Sequence, residues 1–455
     1  MKQTMTRRNF FKIAGGAAFA VAGASIIPQY LRKTLLPVEV GVASAADPDP
    51  DLFLAGTDGW IYLPPDPPIS YFHPDNLAPS LLTTYIFGFR NVTGLNDTQR
   101  IGQKNKAQHN APLFWVNEYV EDDPNKKDFR VKLTNLGLAL RPDLFDAHTV
   151  HWHGFRNVIP FFDGEPTGSV SVKAGSNFTY IYRPRDPGTY MYHCHVEDVE
   201  HVHMGMTGLV FVRPAMGRNF AYNDASTQFD REFAMFISEV WAEAHWADAH
   251  IQLPEWSDYR ADFALLNGRV YPDTLLPNAP TDSLDPDPDK RPPYIPVQRD
   301  GSGDLVPPDG HPELQYQPLS ALITCKEGER VLLRFANLGF KETAMTLAGI
   351  KMRVVGKDAT PMRGLSSDGK RTGADTSYET DTLSFGAGES IDAIFTAPTY
   401  QGPGDHDTYV LYNRAYTRSN NLADGGFGGQ RTEVHVYPST SSIPAAQQYP
   451  NDWGI

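Results

Sequence analysis

His148-Thr149-Val150-His151-Trp152-His153-Gly154, followed by Tyr192-His193-Cys194-His195, carries the decisive pattern of this 455-residue chain. Extended backbone sends successive side chains to opposite faces. Positions 151 and 153 therefore share a face, and so do 193 and 195. His148, an odd number of residues from both 151 and 153, faces the other way, as does Cys194 from its neighbours. Two such strands laid side by side sort the residues into two sets. One set holds His151, His153, His193 and His195. The other holds His148 and Cys194, joined after a loop by His201 and Met206. The clustering is itself a signal. Of 14 histidines, seven (148, 151, 153, 193, 195, 201 and 203) fall between residues 148 and 203, where uniform placement would put about two.

A thiolate, two imidazoles and a weak thioether are the ligand set of a type 1, blue-copper electron-transfer site, whereas four imidazoles suit copper, zinc or iron. Structural zinc sites close with four Cys or His ligands, a pattern that a lone Cys between two His does not match. A single strand histidine is ordinarily a surface or hydrogen-bonded core residue. The combination of His-x-x-His-x-His, His-Cys-His and His201-x-x-x-x-Met206 stands well apart from that background. His203 and Met204 lie beside these residues and read equally well as plain loop. Cys325, in Leu322-Ile323-Thr324-Cys325, reads as a small buried hydrophobe.

Outward from these strands the chain reads as all-β. Hydrophobic residues are 41% and charged residues 21%, which excludes wholesale disorder and a polytopic membrane protein. The 38 Gly and 37 Pro suit short strands joined by turns. A net charge of -14 argues against a nucleic-acid partner. Short β-prone runs occupy 85–89, 113–120, 129–133, 169–172, 178–182 and 209–212. A second series occupies 233–237, 262–266, 330–335, 352–355, 390–395, 408–412 and 433–437. Residues 277–318, dense in Pro and Asp, read as a long loop within the second block. The expected architecture is two Greek-key β-sandwich domains, 81–216 with the metal ligands and 228–440 without obvious ones. An extended arm, 46–80, precedes them and a tail, 441–455, follows. Gly425-Gly426-Phe427-Gly428-Gly429 reads as a turn, because no strand and helix flank it as a nucleotide loop requires.

The N-terminus reads as an address. Arg7-Arg8, then Phe10-Phe11-Lys12, precede an apolar run at 13–27 that is too short and too small-residued for a spanning helix. Ala43-Ser44-Ala45 offers a cleavage site. Residues 1–45 are therefore expected to be a twin-arginine export signal, an uncleaved N-terminal anchor being the alternative, placing the mature chain in the periplasm or otherwise outside the cytoplasm, with no stable membrane span. Two cysteines allow one disulfide at most, so stability rests on the core.

At these residues the chain resembles the multicopper oxidase, laccase-like family of cupredoxin proteins. In the first block Thr134-Asn135-Leu136-Gly137, His151-Trp152-His153-Gly154, Asp163-Gly164, Pro187-Gly188-Thr189-Tyr190 and Tyr192-His193-Cys194-His195 look like its successive landmarks. In the second, Leu266-Asn267-Gly268-Arg269-Val270-Tyr271-Pro272-Asp273 and Met352-Arg353-Val354-Val355-Gly356-Lys357-Asp358 look like its copper-free domain. The resemblance implies type 1 copper at His148, Cys194 and His201 with Met206 axial, and a type 2/type 3 copper cluster at His151, His153, His193 and His195. It implies a small-molecule or protein electron donor, with dioxygen reduced to water. Asp163 is read either as a carboxylate relaying protons to that cluster or as a simple Asp-Gly turn.

Two departures qualify this. The Cys194-to-His201 spacing leans toward the copper nitrite reductase pattern. The family's cluster takes eight histidines from two domains, and the second block has no His-x-His pair; its close pair, His245 and His250, would point to opposite faces of a strand. The cluster is then full or reduced at a domain or subunit interface, and a homo-oligomer stays open. A nitrite-reductase-like enzyme and a non-enzymatic blue-copper carrier are the alternatives.

Overall fold

The alternating stretch Phe129-Arg130-Val131-Lys132-Leu133 lies in a strand, Phe129–Gly137, whose apolar residues are buried and whose polar residues are half-buried. In the computed structural model, which describes residues 49–123, 127–421 and 428–455, it is β4 of a first block. The others are β1 (Leu52–Ile61), β2 (Thr84–Asn91), β3 (Phe114–Asn117), β5 (His151–His153), β6 (Asn177–Tyr182), β7 (Gly188–His193) and β8 (Thr207–Arg213). They form two four-stranded sheets, ordered β2-β1-β4-β6 and β3-β8-β7-β5. Leu54, Phe87, Leu133 and Tyr180 from one sheet meet Phe114, Trp152, Tyr192 and Val210 from the other in a shared core.

The second block holds β9 (Arg231–Val240), β10 (Phe263–Leu266), β11 (Ile323–Lys326), β12 (Arg330–Asn337), β13 (Thr343–Leu347), β14 (Met352–Lys357), β15 (Thr360–Pro361), β16 (Tyr378–Thr380), β17 (Thr382–Phe385), β18 (Ser390–Thr396), β19 (Asp407–Asn413) and β20 (Arg431–Tyr437). A sheet ordered β10-β9-β12-β18-β14-β15, with β16 also on β14, faces one ordered β11-β20-β19-β13-β17. Phe233, Leu333 and Phe395 pack there against Met345, Leu411 and Val434. The chain is thus nearly all β, in two cupredoxin-like sandwiches. Its helices are short: α1 (Asp97–Ile101), α2 (Asp198–Met204) and α3 (Ala242–Ala249).

Pro50–Ile455 is a single compact unit because the sandwiches share an apolar junction. Met191, Leu209 and Phe211, on the outer face of the sheet β3-β8-β7-β5, meet Ala234, Phe236, Ala336 and Leu338. Strands β7 and β9 are consequently buried along their whole length, and each large apolar side chain so removed from water stabilises by about 1.5–3 kcal/mol. A buried polar network crosses the same junction. Arg334 Nε lies 3.1 Å from Glu232 Oε2 and its Nη1 3.4 Å from Asp392 Oδ1. Asp392 also accepts from Thr189 Oγ1 of β7 at 2.6 Å and from Tyr222 Oη at 2.7 Å.

Several expectations are corrected. The described part of the expected arm, 49–80, is not an extended arm: β1 lies inside its sheet, antiparallel to β2 and parallel to β4. The first sandwich therefore begins at Leu52 rather than 81. Burial on both faces removes the alternation from β1, and the neighbouring Pro64-Pro65-Asp66-Pro67-Pro68 lends the segment a loop-like composition. Residues 441–455 are not a free tail. The Asn451 amide is fully buried, accepting from Ala234 N at 2.8 Å and donating to Ala234 O at 3.0 Å. The strand expected at 169–172 is reduced to a bridge between His148 and Val172. His245 and His250 lie on α3 and at its C-cap, not on a strand. The expected export signal at 1–45 lies outside the described residues, as does most of the glycine turn at 425–429. Among the described residues no helix is long and apolar enough to cross a membrane.

Candidate metal centre

Strand β5 pairs with β7 so that His151 faces His193, Trp152 faces Tyr192 and His153 faces Met191. Trp152, Tyr192 and Cys194 enter the core of the first sandwich. Alternation then puts His151, His153 and His193 on the opposite face, the one on which Met191 meets the second sandwich. One strand and its continuation thus serve two pockets.

In the core-side pocket Cys194 Sγ lies 3.2 Å from His201 Nδ1 and 3.9 Å from His148 Nδ1. One ligand atom from each of the three falls within 4.8 Å of the others. His148, Cys194, His201 and Met206 are all fully buried. Residue 206 is returned beside Cys194 by α2, whose C-cap Gly205 adopts φ +117, a conformation open to glycine. Met206 N donates to His201 O at 2.9 Å, and Cys194 N donates to Met206 O at 3.1 Å. The thioether and one imidazole both rest on the bare backbone of Gly56. A Cβ there would lie 2.7 Å from His148 Cδ2 and 3.3 Å from Met206 Cε.

The electrostatics favour a thiolate. Burial pushes the Cys194 thiol up, but His201 and His148 beside it overcome that and hold it well below the usual thiol range. Thr149 N–H points at Sγ from 3.5 Å. Burial pulls His201 down, while the Cys194 sulfur and Asp146 more than reverse this, to about 10. Asp146 Oδ2 stands 3.4 Å from His201 Nε2 and fixes which ring nitrogen faces the sulfur.

In the other pocket one ligand atom each from His151, His153 and His193 lies within 4.8 Å of the others. The His195 ring joins them, its centroid 4.9 Å from His151 and 5.4 Å from His193. His193 Nδ1 bonds to Cys194 O at 2.9 Å, leaving a buried Nε2 with no partner. His151 Nδ1 bonds to Asp163 O at 2.8 Å; the Asp163 carboxylate is 3.5 Å away and partly exposed. Burial drives His193 down to about 3 and lowers His151 and His153. Neutral imidazoles with a free nitrogen are what metal ligation requires. Sulfur, two imidazoles and a thioether on one side, and imidazoles alone on the other, fit copper by donor chemistry.

The second sandwich supplies no further ligand to this group among the described residues. What it presents is Gly388, at φ +78, where a Cβ would lie 2.9 Å from His153 Nε2. His203 is a buried helix residue, not loop, and its Nε2 accepts from Trp241 N at 3.1 Å. Sequence reasoning missed Asp146 and Glu197, which group with His201, and Gly56. Asp146, two residues before His148 in an extended stretch, was the findable one.

Residues 133–216 match the family described as Multicopper oxidase. An L-ascorbate oxidase from Brassica rapa subsp. pekinensis is 29% identical over 96 residues, 21% of this chain and only 16% of that relative. Among solved structures, the blue copper oxidase from Nitrosomonas europaea superposes with a TM-score of 0.51 at 19% identity, covering 84% of this chain and 85% of that one. The multicopper oxidase mgLAC does so with a TM-score of 0.51 at 20% identity, covering 86% and 87%. Residues 133–216 thus match the multicopper oxidase family, and the fold around them is similar to that of these copper oxidases over most of the chain.

Proposed function

We propose that this protein is an exported copper oxidase. It takes electrons one at a time from a donor at the Cys194 pocket and delivers them to dioxygen at the histidine pocket. His148, Cys194 and His201, with Met206 beside them, would hold the type 1 ion. His151, His153, His193 and His195 would hold the second centre. The observation that carries this reading is the covalent continuity of the two pockets: Cys194 is bonded in sequence to His193 and His195, so a short through-bond path joins sulfur to imidazole. Bound copper supplies one-electron redox chemistry and the reduction of dioxygen.

The chain's own residues do the rest. Burial excludes water from the sulfur pocket. Asp146 orients His201, and the Asp163 carbonyl orients His151. The Asp163 carboxylate is placed to accept and release protons near His151.

A second reading is favoured by the bare Gly388 surface opposite His153: a reduced centre, with the protein acting as a blue-copper carrier. Copper stoichiometry with electron paramagnetic resonance and dioxygen uptake separates the two. More than one copper per chain, an intense visible band and dioxygen consumption support the oxidase. One copper without uptake replaces the oxidase by the carrier, and a chain that binds none sinks both. Turnover of nitrite in place of dioxygen would move the protein to the nitrite-reductase alternative. Export is tested by fractionating cells that carry Arg7→Lys with Arg8→Lys, which should strand the protein in the cytoplasm.

A further inference from the structure

We propose that the surface over His201 docks a small basic electron-carrier protein, a proposal that rests on the copper reading above and names the class of donor. His201 is fully buried, so a donor reaches it only across its surroundings. Its outer nitrogen faces Asp146, and Asp146, Glu197 and His201 each place a ligand-type atom within 4.8 Å of the others. Three segments meet there. The 139–147 loop is tied to the end of α3 by Arg141 Nη1, 2.6 Å from Asp248 Oδ1. Asp248 in turn interacts with Glu200 of α2.

From these same segments four large apolar side chains stand into solvent: Phe145 is 83% exposed, Val199 48%, Ile251 62% and Leu253 88%. At these exposures the side chains are uncovered, whereas a small donor calls for a concave site that buries most of it. Clustered exposed apolar groups are what a macromolecular partner covers. Charge selects the partner. Residues 139–147, 196–204 and 247–253 contain six carboxylates, of which Asp143, Glu197 and Asp198 are exposed and Asp248 is buried, and a single basic residue other than histidine, Arg141. Arg141 is itself spent on Asp143 at 2.9 Å and on Asp248. Exposed apolar groups on segments that also expose carboxylates steer a cationic protein and orient it on arrival. One electron leaves the partner's reduced metal, which rises by one oxidation state, and enters through the His201 imidazole. Four such electrons with four protons match one dioxygen reduced to two waters.

The test measures binding of ferric cytochrome c, a small basic haem protein, to the copper-loaded full chain by broadening of the haem resonances. An acidic flavodoxin serves as the control. We expect cytochrome binding that weakens about tenfold between roughly 20 and 200 mM salt, and no flavodoxin binding. Phe145→Ser combined with Leu253→Ser should weaken cytochrome binding about tenfold at constant salt, with an unchanged thermal midpoint. Salt-independent binding, no binding, or equal binding by the variant overturns the proposal. So does a variant that instead slows oxidation of a small cationic aromatic amine. If docking fails while copper and dioxygen uptake are present, the docking proposal alone falls; a chain without copper removes the earlier reading.

Discussion

At the residue scale, Cys194 and the nitrogens around it set the chemistry. The sulfur is surrounded by two imidazoles and a backbone N–H inside a dry core. Cys194→Ser should abolish the intense visible band while leaving the histidine pocket able to bind copper; a retained band refutes the sulfur assignment. Asp146 acts through His201, and Asp146→Asn should lower copper affinity of the sulfur pocket by about 10–100-fold in a chelator competition. Away from the metal ligands, His109 and His245 are buried, and burial pulls them down to about 3 and about 4. Unfolded histidine titrates near 6.5. The unfolded chain therefore binds more protons below that pH, and stability present above 6.5 is lost as pH falls toward 4. The loss is at most about 1.4 kcal/mol per pH unit for each histidine. Urea midpoints measured from pH 7 to 5 should show this slope, and His109→Gln should flatten it relative to the parent.

At the element scale, the strand pair β5 and β7 was legible because offsets of two and three on extended chain are unambiguous: 151 with 153, 193 with 195, and 148 and 194 opposed. Strand β1 was not legible. With both faces buried it shows no alternation, and Gly56, Asp58 and Gly59 argue locally against a strand. Yet those residues serve the site. Gly56 leaves room for the His148 ring, and Asp58 accepts from Tyr85 Oη at 2.8 Å and from Ala139 N at 2.7 Å. Gly56→Ala should force His148 or Met206 aside, costing about 1–3 kcal/mol and shifting the visible spectrum. An unaltered spectrum with a stable fold would show that the ring does not rest there. Helix α2 escaped notice because it has seven residues, no side-chain N-cap and a left-handed Glu197 at its start. Propensity cannot announce such a turn, and only the pull of residues 201 and 206 back to Cys194 explains it.

At the scale of the whole molecule, the two sandwiches are coupled through the strand that serves both pockets. Thr189 of β7 donates to Asp392 of β18, and Arg334 of β12 lies against Asp392 and Glu232. Asp392→Ala leaves Arg334 short of a partner in a buried setting, which costs about 3–5 kcal/mol. Differential scanning calorimetry should show one transition shifted down in temperature; two separated transitions would mean that the sandwiches unfold independently. The count of two sandwiches could be read from the spacing of turns and β-prone runs. Their mutual packing could not, because Met191, Leu209, Phe236 and Leu338 look like any core residues until the register shows that they face outward from their own sandwiches.

The seating of Asn451 reaches beyond the folded state. Strand β9 pairs with β10 only from Ile237 to Val240; further back, the Asn451 amide stands in for a neighbouring strand at Ala234. A polypeptide that stops short of this asparagine leaves the Ala234 N–H without its acceptor on the strand that backs the junction. Such a product would invite cellular proteases, so degradation would screen out chains whose synthesis halted before this asparagine.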